Sequence, residues 1–369
     1  MHICSFTSSH RIGLTNLLME QSIAFSRFEK HRFSFVSGEK EQYPGLFDTL
    51  RQNNIRCCII HGLDEHRHFF RLVSEFRHLM ETDPPDYVTV NTNWQLAIAA
   101  CAKVLSGANC RKIYVVHGYR ANHRFRSFIA RYIIMTALFF LADHVVTPST
   151  FVKKKFWLLG RKNKVIFLGG NESLFADHPP PLFSGTKRLI FPGEFRIGKN
   201  QEMLIRVLKR YIETSHDQNI ELYLPGRGER LEQCKSLCRS LGLGNKVIFP
   251  GFIDQQEMLE LYLKCQYALI PSSAETFGLC ITEPFILGRV VITRHVGVAD
   301  DIIRHGETGF FFNEGEDLLA LLRKILPDRT WCERVAANAR SSSDLMRWDN
   351  ICQRHFDLIF EPPTKGQFD

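Results

Sequence analysis

Residues 271–284 read Pro-Ser-Ser-Ala-Glu-Thr-Phe-Gly-Leu-Cys-Ile-Thr-Glu-Pro, which puts two carboxylates, Glu275 and Glu283, eight positions apart around Gly278. The apolar run Tyr267–Ile270 just before them predicts a buried strand, and the residues after the glycine predict a helix. The first acid would then lie in the loop at the carboxyl end of the strand. The second would lie one to two turns inside the helix.

The start of this helix is a predicted anion site. The amides of Phe277, Gly278 and Leu279 come before the first intrahelical hydrogen bonds, and the helix dipole favours negative charge there. One loop therefore offers an acid, a cradle for a diphosphate, and a second acid about 8–10 Å further along the helix. A nucleoside diphosphate sugar has the same layout of sugar, diphosphate and ribose.

The sequence continues this pattern with a small-residue turn, a strand, a glycine loop and a Gly-x-x-Gly turn. These elements are Gly288–Thr293, Gly297–Ile303 and Gly306–Phe310. The ordered series resembles the retaining glycosyltransferases of family 4, strongly from about Arg188 to Leu326 and more thinly in the first half. The resemblance implies an α/β chain with the GT-B fold, in which two doubly wound Rossmann-like domains face each other across a cleft.

The composition is that of a globular protein. The chain has 369 residues, of which 44% are hydrophobic and 23% charged, and this length fits two domains of ordinary size. It begins directly with a predicted strand at Ile3–Phe6 and without the pattern of a secretory signal. The longest apolar run, Tyr132–Ala142, has about half the length that a membrane-spanning helix needs. We therefore expect a cytoplasmic protein.

No cofactor or metal is expected. The eleven cysteines form no two pairs with zinc-site spacing, and their odd number does not indicate a disulfide framework. The chain has no Asp-x-Asp motif, which in other glycosyltransferases holds a divalent cation.

Strands and helices alternate throughout, which predicts parallel sheets with crossover helices. Three prolines in Asp177–Gly185 predict a linker between an N-terminal acceptor-binding domain, residues 1–178, and a C-terminal donor domain, residues 186–348. The resemblance implies that a final helix, about residues 350–360, packs back onto the first domain. The predicted strands are Ile3–Phe6, Phe33–Val36, Cys57–His61, Tyr87–Asn91, Lys112–His117, His144–Pro148, Val165–Leu168, Leu189–Pro192, Glu221–Leu224, Val247–Phe249, Tyr267–Ile270, Val290–Thr293 and Gly309–Phe312.

Cations after the first strand of the second domain would neutralise the donor diphosphate. Lys199 matches the lysine of the resembled family, whereas Glu194 stands at the family's arginine position. Arg196 is the alternative source of a guanidinium, or else an ordinary surface charge. The resemblance implies a donor site with the following members: Glu283, Arg196, Lys199, Gly193, Gly226, Phe277, Gly278 and Leu279.

Candidate catalytic residues are Glu275, His117 and Lys199. His117 ends a predicted strand and aligns with a histidine that the family often carries, so it could hydrogen-bond the donor sugar or the reacting hydroxyl. The alternative is a loop histidine satisfied by backbone groups. On the acceptor side the family often has two glycines, whereas this chain has a single one preceded by polar side chains. These acceptor-side residues are Ser9, His10, Arg11 and Gly13.

Positive charge is concentrated in residues 111–164, which hold twelve Lys or Arg and one acid, Asp143, for a net charge of +11. Aromatic residues, Phe156 and Trp157 among them, accompany the charge. This combination suits contact with an anionic membrane. A generic basic surface and a nucleic-acid surface are the alternatives, although no nucleic-acid-binding motif is present.

The sequence and the resemblance together predict a retaining hexosyltransferase that uses a nucleoside diphosphate sugar. Its acceptor would be a hydroxyl of a glycan or of a polyprenyl-diphosphate-linked glycan, as in bacterial O-antigen, lipopolysaccharide or capsule assembly. Two alternatives share the fold: a nucleotide-sugar epimerase, and a binding protein that has lost catalysis. The second is suggested by Glu194 and by the missing glycine near Gly13.

Overall fold

A computed structural model describes residues 1–6, 12–27, 31–38, 46–63, 68–117 and 125–360. The chain divides into two compact units. The first unit contains Met1–Gly169 and the C-terminal segment from Trp348, and the second contains Gly170–Arg347.

In the described part of the first unit, seven parallel strands form one sheet with the order β3-β2-β1-β4-β5-β6-β7. The strands are β1 His2–Phe6, β2 Arg32–Ser37, β3 Arg56–Ile59, β4 Tyr87–Val90, β5 Arg111–Val115, β6 His144–Thr147 and β7 Asn163–Val165. The helices between them are α1 Ile12–Ser26, α2 Leu46–Gln52, α3 Phe69–Thr82, α4 Asn93–Ser106, α5 Phe125–Leu141 and α6 Thr150–Lys155. A 3₁₀ helix, Trp157–Lys162, precedes β7.

Both faces of this sheet are covered by apolar cores, as expected for parallel strands joined by crossover helices. Ile3 and Phe35 point into one core, and Cys4 and Val36, one position further on, point into the other. The C-terminal helix Trp348–His355 and the π-helical turn Phe356–Phe360 complete the first of these cores.

The second unit repeats the architecture. Six parallel strands have the order β10-β9-β8-β11-β12-β13. They are β8 Lys187–Ile190, β9 Ile220–Tyr223, β10 Val247–Ile248, β11 Tyr267–Ile270, β12 Val290–Thr293 and β13 Phe310–Phe311. The helices are α7 Gln201–Ser215, α8 Leu231–Ser240, α9 Gln255–Lys264, α10 Leu279–Ile286, α11 Ala299–Ile302, α12 Gly315–Ile325 and α13 Arg329–Ser341.

Each sheet has one point at which the strand order reverses direction. In the first unit this point lies between β1 and β4, and in the second it lies between β8 and β11. Ligands of doubly wound sheets bind outside the carboxyl ends of the strands at such a point. A site is therefore expected at the loops that follow β8 and β11. These loops contain Lys199 and Glu275, two of the candidate catalytic residues.

The boundary between the units differs from the predicted one. The chain changes unit at Gly169–Gly170, before the predicted linker. Backbone carbonyls in and before the proline-rich segment are bound by side chains of the second unit, which explains the shift. Arg340 donates to the carbonyl oxygens of Leu174 and Ala176, and the fully buried Arg289 donates to that of Pro179 at 3.1 Å.

Most predicted strands have counterparts within a few residues of their predicted bounds, and the predicted α/β class with two doubly wound sheets is confirmed. One strand is displaced: β7 covers Asn163–Val165, whereas Val165–Leu168 was predicted. Within the described ranges, no helix is long and apolar enough to cross a membrane. All eleven cysteines are free thiols, and eight of them are buried.

Candidate functional site

The loops after β8 and β11 bring two sequence-predicted residues together. Lys199 Nζ donates a hydrogen bond to Glu275 Oε1 at 2.5 Å, and each side chain is only 11% exposed. The loops themselves are joined, because the amide of Ser273 donates to the Gly198 carbonyl at 2.8 Å and Asn200 Nδ2 donates to that of Pro271 at 2.9 Å. The ion pair is thus held at the switch point of the sheet by hydrogen bonds between the two loops.

Electrostatics keep the Lys199 ammonium charged. Burial alone lowers the pKa of the Lys199 ammonium, whereas the neighbouring Glu275 raises it, and the net pKa lies above its ordinary value. Burial, with the nearby Glu275, also raises the pKa of the Cys280 thiol, so this thiol is neutral. The Glu275 carboxylate is therefore the physical partner of the ammonium. Lys199 has three N–H donors, so it can hold Glu275 and still donate to a bound anion.

Helix α10 begins next to this pair. Gly278 adopts a φ of 98° and caps α10, and its carbonyl accepts from the amides of Ile281 and Thr282 at 2.8 and 3.1 Å. The amides of Gly278 and Leu279 come before these bonds and lie at the positive end of the helix dipole. The φ of Gly278 lies in the left-handed region that L side chains rarely adopt, so the turn favours glycine.

A second loop braces this turn. The Phe277 carbonyl accepts a hydrogen bond from the amide of Val298 at 2.8 Å. Gly297, the residue before Val298, has a φ of 57°, and a Cβ atom there would lie 2.2 Å from the Phe277 oxygen. The close approach of two backbones holds this turn in place.

Glu283 lies just beyond the first turn of α10 and is half-buried. Tyr262 on α9 donates its hydroxyl proton to Glu283 Oε2 at 2.9 Å. Burial and the Glu283 carboxylate raise the pKa of Tyr262 well above its ordinary value, so the phenol remains a donor. Tyr262 was missed by sequence reasoning, because it belongs to no recognisable motif and precedes its partner by 21 positions.

Glycines after β8 and β9 let neighbouring loops approach closely. The amide of Gly193 donates to the Pro225 carbonyl at 3.1 Å, and that of Gly226 to the Gly251 carbonyl at 2.7 Å. A Cβ atom on Gly226, whose φ is 142°, would lie 2.1 Å from the Gly193 oxygen. Gly226 therefore has a structural reason to be glycine, and its proximity to a ligand remains a prediction.

Arg196 has a partner that the sequence did not predict. Its Nε lies 3.1 Å from Glu194 Oε2, and the two side chains are 50% and 64% exposed. Exposed pairs of this kind contribute little free energy, so the guanidinium can leave Glu194 for a stronger anion at small cost.

The remaining predicted residues belong to the first unit. His117 follows β5, is half-buried, and has its Nε2 at 2.6 Å from Asn91 Oδ1. Gly13 lies in α1. Ser9, His10 and Arg11 lie outside the described residues. In the part of the chain that the structure covers, no group of three or more His, Cys, Asp or Glu is arranged to hold a metal ion.

Comparison with known proteins gives one family and several fold relatives. Residues 175–342 match the family described as glycosyl transferases group 1. An uncharacterized glycosyltransferase of Methanocaldococcus jannaschii is 29% identical over 170 residues, which are 45% of this chain and 43% of that protein. An uncharacterized glycosyltransferase of Bacillus subtilis is 26% identical over 65% of this chain and 66% of its own. The chain therefore matches less than two thirds of the length of these relatives.

Solved structures match nearly the whole chain. The Anabaena protein HepE, crystallised with UDP and glucose, superposes with a TM-score of 0.77 at 19% identity, over 98% of this chain and 99% of its own. At this identity the match establishes the fold.

Proposed function

Because residues 175–342 match the glycosyl transferases group 1 family and the chain has the GT-B fold, we propose that the protein is a glycosyltransferase. It moves a sugar from a nucleoside diphosphate sugar to a hydroxyl of an acceptor, with retention of anomeric configuration. The observation that carries the proposal is the buried Lys199–Glu275 pair next to the open amides of Gly278 and Leu279 at the switch point of the second sheet.

The proposed chemistry is electrostatic. Negative charge accumulates on the diphosphate as the sugar leaves it, and preorganised donors that face this charge lower the barrier. Lys199 and the amides at the start of α10 supply these donors, with Arg196 as a further cation. Glu275 contacts the donor sugar, and Glu283, oriented by Tyr262, binds the ribose hydroxyls. Fixed cations and amides take the role that a metal ion has in other glycosyltransferases.

A thermal-shift panel of UDP, GDP, ADP and their common sugars tests the donor site. A ligand at a hundred times its Kd adds about 2.7 kcal/mol of stability, which raises the Tm by a few degrees. We expect one nucleotide series to give this shift with and without EDTA, and Glu283→Ala to abolish it. Glu260→Ala, an exposed glutamate on α9, is the matched control and should keep the shift.

Two outcomes would contradict the proposal. A flat panel with folded protein would favour a binding protein that has lost catalysis, for which Glu194 at the family's arginine position is the supporting observation. An epimerised nucleotide sugar, formed with no acceptor present, would instead indicate an epimerase.

The proposed acceptor is a glycan or a polyprenyl-linked glycan of bacterial surface polysaccharide. One fold relative, at 16% identity and a TM-score of 0.77 over 98% of this chain and 99% of its own, is named a lipopolysaccharide outer core galactosyltransferase. A lipid-linked acceptor requires contact with a membrane. Residues 111–164 supply a candidate docking surface, defined here as Ile133, Phe139, Phe140, Lys153, Lys154 and Trp157.

The docking surface combines exposed apolar and basic side chains. Phe140 is 76% exposed and Trp157 71%, which is unusual for side chains of this size. Lys162 connects the 3₁₀ helix that contains Trp157 to the end of α5. Its Nζ donates to the Phe139 carbonyl and lies 5.0 Å from the Phe139 ring centre. Lys153 and Lys154, on the helix that precedes Trp157 in the chain, are exposed as well. An anionic bilayer is the partner that satisfies both the apolar and the charged groups.

Two residues counted in the basic and aromatic region do not belong to this surface. Lys112 is buried and pairs with Asp143 at 3.0 Å. Phe156 is 7% exposed and packs in the core. The surface is therefore smaller than the sequence suggested, because these two side chains are buried.

Sedimentation with vesicles tests the membrane contact. At low salt we expect binding to vesicles that contain phosphatidylglycerol and none to pure phosphatidylcholine. Lys153→Glu/Lys154→Glu should weaken binding by roughly thirtyfold or more, because each basic residue near the surface contributes about 1 kcal/mol. Lys235→Glu/Arg239→Glu on α8 is the matched control. Equal binding by the first double variant, or binding to a DNA oligonucleotide in place of vesicles, would overturn the proposal.

A further inference from the structure

Asn91 connects three strands at the switch point of the first sheet. It follows β4 directly and is 8% exposed. Its Nδ2 donates to the carbonyl oxygen of Phe6, the last residue of β1, and its Oδ1 lies 2.6 Å from Nε2 of His117, which follows β5. The asparagine thus touches a candidate catalytic histidine at the place where doubly wound sheets bind ligands.

The orientation of the Asn91 amide is determined by its partners. The Phe6 carbonyl can only accept a hydrogen bond, so the NH₂ group of Asn91 must face it. The amide oxygen then faces His117, and an oxygen that can only accept requires a proton on Nε2. Neutral His117 is therefore the Nε2–H tautomer, with its lone pair on Nδ1.

Asn91 is itself held by a buried side chain. Its backbone amide donates to Gln95 Oε1 at 2.9 Å, and Gln95 on α4 is 1% exposed. The amide of Gln95 donates to Thr92 Oγ1 at 3.1 Å, which caps the start of α4. A chain of hydrogen bonds therefore runs from the end of a packed helix to the imidazole.

We propose that Asn91 is a positioning residue for His117. It fixes the plane of the ring and the Nε2–H tautomer, and so determines how the imidazole is presented to a bound substrate. The role at the substrate rests on the proposed function, whereas the tautomer does not.

Long-range ¹H–¹⁵N NMR of the histidine rings tests the tautomer directly. The His117 signals are identified among those of fifteen histidines by their loss in His117→Gln. We expect a protonated Nε2 and an unprotonated Nδ1 in the wild type, and averaged nitrogen shifts in Asn91→Ala. A protonated Nδ1 in the neutral wild-type ring, or unchanged shifts in the variant, would overturn the inference.

Turnover tests the role at the substrate, with slow hydrolysis of UDP-glucose and GDP-mannose as the probe reactions. Asn91→Ala should lower kcat by roughly ten- to hundredfold through misplacement of the ring, and change KM by less than about threefold. Asn91→Asp, whose carboxylate can accept the same hydrogen bond, should recover part of the rate.

Asn163→Ala is the matched control. Asn163 is a buried asparagine on β7 that bonds to Thr147, so its loss should lower the Tm and leave kcat unchanged. If Asn91→Ala behaves in the same way, Asn91 is only structural and the inference fails. If wild-type protein hydrolyses neither probe and the nucleotide panel is flat, the proposed function fails, and the NMR experiment still decides the tautomer.

Discussion

Replacing Lys199 by methionine is expected to have the largest effect on activity of any single change in the second unit. The variant removes the cation that faces the departing diphosphate, and loss of one such preorganised donor costs roughly 10²–10³-fold in kcat. Hydrolysis or transfer from the donor identified in the nucleotide panel measures the effect. A variant with at least a tenth of the wild-type rate would contradict the assigned role.

The same substitution is expected to destabilise the fold. Glu275 would be left as a buried carboxylate without its partner, and removal of one member of a buried pair costs about 3–5 kcal/mol. Lys199→Met/Glu275→Gln leaves no buried charge, so the double variant should recover most of the stability and none of the activity. Urea unfolding of the single and double variants measures this difference.

A control separates the two effects. Lys187 and Asp217 form a partly buried ion pair at 2.7 Å at the opposite end of β8. Lys187→Met should lower stability and leave turnover per folded molecule unchanged. If Lys187→Met lowers the total measured activity as much as Lys199→Met does, the loss of activity in Lys199→Met reflects unfolding.

The first unit is expected to lose stability in mild acid because of His355. Burial lowers the pKa of this imidazole to about 4, against an ordinary value near 6.5. In the unfolded chain, His355 therefore takes up a proton near pH 6.5. In the folded chain it takes up this proton only near pH 4. Stability falls as the pH drops through this window, by up to about 3 kcal/mol from this residue.

The measurement is urea unfolding between pH 7 and pH 4 in wild type and His355→Phe. Phenylalanine suits the site, since the imidazole packs edge-on against Phe25 at 5.2 Å. Burial also lowers the pKa of His2 and His144, so the variant should lose only part of the acid slope. His78→Phe, on an exposed face of α3, is the control. An identical slope in wild type and His355→Phe would show that His355 is not the cause.

Local patterns predicted the fold of the second unit in detail. β11 and β12 have the predicted bounds, because runs such as Tyr267–Ile270 are buried on both faces and read as continuous apolar segments. The loop with Glu275, the cap at Gly278 and the helix with Glu283 also lie where the sequence put them. Each of these depends on interactions within about fifteen residues, which a single sequence displays.

The partners of these residues could not be predicted. Glu275 pairs with Lys199, 76 positions away, and Glu283 accepts from Tyr262 on another helix. Asn91 became a candidate only when β1, β4 and β5 were known to end side by side. Such contacts are set by the strand order of the sheet, which hydrophobic periodicity does not encode.

The linker shows how composition can mislead. Prolines in residues 177–185 predicted a break between domains, yet this segment belongs to the second unit. Proline carbonyls still accept hydrogen bonds, and Arg289 and Arg340 use carbonyls here and just before it. Long-range donors of this kind have no signature in the proline-rich sequence itself.

The buried free thiols can report the local opening of the structure around them. Thiolate is the reactive form of cysteine, and burial raises the pKa of Cys332 to about 11 and of Cys265 to about 12. A buried cysteine therefore reacts with a maleimide pulse only after its surroundings open. Three of the eight buried thiols are in the first unit and five in the second. Mass spectrometry of labelled peptides would follow the opening of each unit separately, without an engineered probe.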